Sequence, residues 1–167
     1  MDLHWSSPSA FVPIVTAMFA AENPKVEVRQ FAGGGLTSSR ARERFYAEAL
    51  AWKPDTVLFV LLNRTDADLA DMKAMAEGFR SAGARVVAFD DVHDPDAADP
   101  VKLRKETAAA REAGIDVVEV GRLLAASPER ARFPCLDKIH MTEPYHRLMA
   151  REWLKLLVGA RGPELPD

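Results

Sequence analysis

A chain of 167 residues suffices for one domain with a real core, and at this length folding buries roughly 70% of the surface of the unfolded chain. Its 22 basic and 25 acidic residues leave a formal charge of −3 and lie scattered, with no basic run and no basic face interleaved with aromatics, so nucleic acid is not an expected partner. The single cysteine, Cys135, excludes an internal disulfide and a cysteine-rich zinc site, and no stretch reaches the ~20 apolar residues of a membrane span.

Residues 1 to 9 carry no periodic pattern. A first helix is expected from about Pro8 to Ala21, with Phe11, Ile14, Val15, Met18 and Phe19 inward, ending at Glu22-Asn23-Pro24. Its flank holds Asp2 and no Lys or Arg, so this apolar stretch reads as a helix rather than a signal peptide. On these residues the chain reads as cytoplasmic, although a targeting segment ahead of Met1 would not be visible here. Val26, Val28 and the residues to Phe31 suggest a short strand, and the glycine-rich turn 32–38 then enters a helix running to about Trp52.

Thr56 to Leu62 is a continuous apolar strand, too apolar for a half-solvated sheet. After the loop Asn63-Arg64, Thr65 or Asp66 caps a helix with Leu69, Met72, Met75, Ala76 and Phe79 inward, closed by Gly83. Arg85 to Phe89 is the next strand and leaves into the acidic loop 90–94. A polar helix over 100–113 ends at Gly114, and a strand follows over Ile115 to Val120. Residues 121–136 hold a short helix and a proline-marked loop leading to Asp137-Lys138-Ile139-His140. Thr142 is the expected N-cap of a last helix, with Pro144 in its first turn and Leu148, Met149, Trp153, Leu156 and Leu157 as its apolar stripe.

Strands alternating with helices imply βαβ units. The expected class is therefore α/β, a three-layer α/β/α flavodoxin-like parallel sheet in a single domain spanning 1–167. In such sheets the chemistry gathers at the carboxyl ends of the strands, where the Gly33–Thr37 turn, Asn63, the 90–94 loop and the segment to His140 all lie.

Each of these has two readings. Gly33-Gly34-Gly35 is neither GxGxxG nor a P-loop. It is either a tight turn needing positive φ or a source of backbone N–H for a developing oxyanion. Asn63 is either a turn residue or a second oxyanion donor. Asp90, Asp91, His93, Asp94 and Asp96 have the composition of a metal site without a known ligand spacing, so a solvated acidic loop is expected and no metal or cofactor is assigned. His4 and His146 read as incidental. In Asp137-x-x-His140 the carboxylate can accept a hydrogen bond from Nδ1–H, fix the tautomer and leave Nε2 free as a base.

Taken together, the order of glycine loop, asparagine and Asp-x-x-His resembles the SGNH (GDSL-type) esterases and lipases, over about Ser9 to Val158. Their second block often reads Asn-Phe-Ala-Val-Gly-Gly-Ala-Thr. Gln30-Phe31-Ala32-Gly33-Gly34-Gly35-Leu36-Thr37 is similar and puts the oxyanion glycine at Gly35. The third block, Gly-x-Asn-Asp, falls on Leu61-Leu62-Asn63-Arg64, where only the asparagine is kept. The fifth, Asp-x-x-His, falls on Asp137 and His140, and the continuation 141–154 is typical of it.

The first block, Gly-Asp-Ser at the end of an initial strand, is absent; the family's spacing would put it at or just before Met1. The chain is therefore expected to be N-terminally truncated, lacking the first strand and its serine, the alternative being a lost nucleophile. Ser6 and Ser7 lie in the right region but follow no strand and no Gly-Asp. The resemblance implies a Ser-His-Asp hydrolase of acyl or acetyl esters, with His140 as base, Asp137 as its orienting partner, and Gly35 and Asn63 at the oxyanion. The substrate would be a small-molecule ester, with no cofactor. Without the serine block, low activity is expected. Without the strand that carries it, the sheet would expose unpaired edges, and self-association is expected. A noncatalytic flavodoxin-like binding domain is the alternative.

Overall fold

The computed structural model describes residues 11–22, 25–89, 100–118 and 142–158. The chain divides into two compact units, one of Phe31–Leu123 and one of Met1–Gln30 together with Leu124–Asp167.

Within Phe31–Leu123 the elements in order are α2 (Ser38–Arg44), α3 (Tyr46–Ala51), β1 (Thr56–Phe59), α4 (Asp66–Ser81), β2 (Arg85–Phe89), α5 (Pro100–Glu112) and β3 (Asp116–Val118). The three strands form a parallel sheet in the order β1-β2-β3, with Thr56 opposite Arg85 and Val87 opposite Asp116. Successive residues of a strand face opposite sides. Val57, Phe59, Val86, Ala88 and Val117 therefore share one face. There they pack with Met72, Met75, Ala76 and Phe79 of α4, Ala109 and Ala110 of α5, and Ala41 of α2. Val87 and Val118, on the other face, are buried as well. A sheet buried on both faces is the three-layer α/β/α, flavodoxin-like class the sequence predicts.

The two helix-to-strand turns follow one design. Gly83 (φ +93) and Gly114 (φ +68) adopt the left-handed conformation just past α4 and α5. In each, the glycine N–H and the next N–H reach back into the last helical turn: Gly83 N to Arg80 O and Ala84 N to Phe79 O, then Gly114 N to Arg111 O and Ile115 N to Ala110 O. This pair of bonds satisfies the terminal carbonyls and turns the chain straight into the next strand. A side chain at either position is strained. Gly83→Ala is expected to cost about 1–2 kcal/mol, read as a fall in the denaturant midpoint. Gly114→Ala is expected to cost more, because its Cβ would lie 2.2 Å from Arg80 Nη1, which donates to Ala113 O. In an Arg80→Ala background the two substitutions should cost the same.

Several expected boundaries are corrected. Residues 26–30 are not a strand in the structure, since an alternating run becomes one only through a regular ladder with a neighbouring edge. β1 stops at Phe59 rather than Leu62, because Leu62 leaves β2 and pairs on its other side with Thr37. β3 begins at Asp116 rather than Ile115, whose N–H is committed to closing α5. The helix expected to run unbroken to Trp52 is interrupted at Phe45 (φ −128, ψ −21). There Phe45 packs on Phe31 at 6.0 Å and Tyr46 meets Phe79 edge-on at 5.3 Å, two contacts in different directions from adjacent residues.

In the other unit, α1 (Phe11–Glu22) packs against α6 (Glu143–Val158). Residues 8–10 of the expected first helix lie outside the described residues. Met18 of α1 is buried, as are Leu148, Met149 and Trp153 of the expected α6 stripe, with Tyr145, Ala150 and Leu154 beside them; the side chains of Leu156 and Leu157 lie outside the described ones. Thr142 stands at the N-cap position, its carbonyl accepting from His146 N, but its buried hydroxyl closes no cap bond. No helix among the described residues is long and apolar enough to cross a membrane.

Candidate functional site

Of the four residues expected to carry chemistry, Gly35 and Asn63 are described, and the fold sets their segments side by side. The Leu62 N–H donates to Leu36 O at 3.1 Å and the Ser38 N–H donates to Leu62 O at 3.2 Å, a parallel bridge that binds the end of the glycine turn to the residue before Asn63. Asp137 and His140 lie outside the described residues, as do Ser6, Ser7 and the 90–94 loop.

Gly35 has φ +61, and a Cβ built on it would meet nothing within 4 Å. Glycine is required there by the backbone and not by crowding. Gly33, by contrast, has ordinary φ, and its Cβ would meet only Arg44 Nη1 at 3.8 Å. The tight-turn reading of the glycines therefore applies to Gly35 and not to Gly33. Among the described residues the Gly35 N–H has no acceptor.

Asn63 is buried. Its Oδ1 accepts a hydrogen bond of 2.7 Å from Ser38 Oγ, and its Nδ2 lies 3.7 Å from Met72 Sδ. Asn63 is thus held by a side chain from each neighbouring helix, which a simple turn residue would not need.

Behind this pair sits a residue the sequence reading passed over. Asp68 is buried, and one of its carboxylate oxygens accepts from the N–H groups of Arg64 (3.0 Å) and Thr65 (3.1 Å) and from the Thr65 hydroxyl (3.0 Å). The other accepts from the Ser39 N–H at 3.2 Å, on α2. The Thr65 hydroxyl in turn accepts from the Asp68 N–H at 3.1 Å, completing a capping box at the start of α4. Burial works to raise the Asp68 pKa, but the Ser39 N–H and the Thr65, Ser39 and Thr37 hydroxyls outweigh it and hold the carboxyl well below the usual range. Beside it, hydrogen bonds from the Ser39 hydroxyl and Arg42 lower Asp71, against opposing contributions from burial and the Asp68 charge. The spacing Thr65-x-x-Asp68 was the available signal for the cap. Nothing local announces the bond to Ser39, which crosses from one helix to another.

Among the described residues no three His, Cys, Asp or Glu side chains gather as a metal site. The described groups are a left-handed glycine whose N–H has no acceptor among the described residues and a buried carboxamide held by Ser38 and Met72, the latter group just past the carboxyl-terminal end of β1.

The fold that carries this site is one in which solved hydrolases recur. TesA superposes with a TM-score of 0.71 at 18% identity, over 92% of this chain and 91% of that chain. A variant of Axe2, an acetyl xylan esterase from Geobacillus stearothermophilus, gives 0.69 at 14% identity over 95% and 84%. The psychrotrophic esterase EstA from Pseudoalteromonas sp. gives 0.67 at 16% identity over 92% and 88%. At these identities the likeness is one of fold. No protein-family model and no curated protein sequence matches the chain.

Proposed function

We propose that this chain is an ester hydrolase of the SGNH (GDSL) type acting on acyl or acetyl esters. One observation supports it most: the Thr37–Leu62 bridge and the Ser38–Asn63 hydrogen bond tie the segment that follows Gly35 to Leu62 and Asn63, as two oxyanion donors drawn from these segments would need. In this reading a serine hydroxyl attacks the ester carbonyl while His140 takes its proton, with Asp137 holding the imidazole in the competent tautomer. The charge developing on the carbonyl oxygen is received by the Gly35 N–H and the Asn63 Nδ2–H. His140 then returns the proton to the leaving alkoxide, and water releases the acyl group by the same route in reverse. Each oxyanion donor of this kind contributes about 3–4 kcal/mol to the barrier reduction.

No Gly-Asp-Ser occurs in these 167 residues. The chain by itself is therefore expected to hydrolyse a short-chain aryl ester no faster than its His140→Ala variant. Joined to an N-terminal strand ending in Gly-Asp-Ser, it should acquire turnover that disappears with His140→Ala and falls steeply with Asp137→Asn. Failure of that chimera to turn over, with its fold intact by circular dichroism, would remove the esterase reading. The absent serine block would then favour a noncatalytic flavodoxin-like binding domain.

A further inference from the structure

We infer that Ser38 is a positioning residue for the candidate oxyanion site, acting through Asn63; the inference rests on the oxyanion reading of Gly35 and Asn63. Ser38 has no exposed surface, so its hydroxyl cannot meet a substrate. What it does meet is Asn63 Oδ1, at 2.7 Å.

A carboxamide has two ends of nearly equal size, and a half-turn exchanges an acceptor for a donor. Which end serves the site is decided by the partners around it. The Ser38 hydroxyl donates to Oδ1, and Met72 Sδ, a weak acceptor, lies 3.7 Å from Nδ2. Turning the amide over would set Oδ1 against the sulfur lone pairs and withdraw the acceptor from the serine proton. Both neighbours therefore select the same orientation. It leaves the second Nδ2–H without a partner among the described residues, the state an oxyanion donor needs before its ligand arrives.

Ser38 is also fixed independently of Asn63. Its N–H donates to Leu62 O, and it opens α2 directly after Thr37, whose hydroxyl accepts from Arg40 N. One residue thus ties the glycine turn to the strand end by its backbone and aims the asparagine by its side chain. Changing Ser38 should alter the asparagine donor while leaving the glycine donor in place.

The test follows the Asn63 side-chain amide by NMR, assigned by its loss in Asn63→Asp, together with the Gly35 N–H. Methylphosphonate serves as a tetrahedral anionic probe for the wild type, Ser38→Ala and Ser38→Thr. In the wild type both groups should shift along one binding curve, and the Ser38 hydroxyl proton should exchange slowly enough to be seen. In Ser38→Ala the Asn63 amide should move from its free-state position and its response to the probe should weaken by about tenfold, the scale of one lost hydrogen bond. The Gly35 response should persist, and Ser38→Thr, which keeps the hydroxyl, should restore the asparagine.

An Asn63 amide indifferent to Ser38→Ala, with the probe response intact, overturns the positioning role and leaves the oxyanion reading standing. A wild type in which neither group responds to the probe overturns the oxyanion reading itself, and Ser38 is then a packing residue only. Should Ser38→Ala not fold, the comparison of wild type with Ser38→Thr and the exchange rate of the hydroxyl proton still decide the matter. A rapidly exchanging hydroxyl in the folded wild type counts against the bond.

Discussion

Replacing Asp68 with alanine is expected to destabilise the Phe31–Leu123 unit by about 3 kcal/mol, near the upper end for a buried, charge-assisted hydrogen-bonding group. The substitution strands the Arg64 and Thr65 N–H groups at the start of α4 and the Ser39 N–H on α2 in one step. Asp68→Asn should cost less, since one acceptor oxygen remains, though its amide end faces other donors. The pH dependence gives the sharper test. The folded Asp68 pKa lies below the ordinary 3.8, so the folded protein releases this proton more readily than the unfolded chain. Its contribution is therefore complete above pH 3.8 and is lost as the pH falls towards the depressed folded value. Thermal melts of wild type and Asp68→Asn should differ most at neutral pH and converge in acid. A gap that stays constant down to pH 2 would show that the carboxylate charge is not what stabilises this junction.

Substituting alanine for Gly78 should also destabilise, although helix propensity alone favours it by about 1 kcal/mol. Gly78 sits well inside α4, where glycine is normally a liability. The reason lies in α3: Tyr46 crosses α4 at this point, and a Cβ on Gly78 would fall 1.7 Å from its hydroxyl oxygen and 3.0 Å from Cζ. The ring cannot simply swing aside, because it stands edge-on to Phe79 at 5.3 Å. Overpacking of this kind costs roughly 1–3 kcal/mol beyond the propensity gain. Removing the tyrosine hydroxyl should recover much of it, so Gly78→Ala measured in a Tyr46→Phe background is expected to be nearly neutral. A Gly78→Ala protein more stable than wild type in urea melts would mean that α3 does not press on α4 here.

Both predictions concern the supports of the candidate site, and both depend on contacts between helices that are distant in sequence. The surface ion pairs that also link α4 to its neighbours, such as Lys73 with Glu112 at 2.8 Å, are exposed and add little stability by comparison.

Some of this structure is legible in the sequence alone. The start of α4 at Thr65, its stop at Gly83, its inner face from Met72 to Phe79 and the close of α5 at Gly114 follow from capping chemistry, positive φ and a 3.6-residue apolar period. These signals are local, so the chain carries them without reference to its partners. The α/β class follows in the same way from alternating strand and helix patterns. The choice of Gly35 and Asn63, and of Asp137 with His140, came from motif order, which names residues but supplies no geometry.

Tertiary structure decided the rest, wherever an outcome depended on a partner far along the chain. Val26 to Phe31 has the look of a strand, yet a strand is defined by a ladder with a neighbouring edge, and residues 26–30 belong to no strand of the described sheet. The break at Phe45 exists because Phe31 and Phe79 draw adjacent aromatic rings in different directions. Gly78 looks like a flaw in a helix until Tyr46 is placed across it. Ser38 carries no motif, and the Thr65-x-x-Asp68 cap gives no sign that Asp68 also reaches α2. Their roles arise only when the bridge between Thr37 and Leu62 brings a serine to the Asn63 carboxamide and a carboxylate to the first turn of α2. Hydrogen bonds act over about 3 Å. Local sequence determined which residues could cap, turn or donate, and the fold alone determined which of them came within that distance of one another.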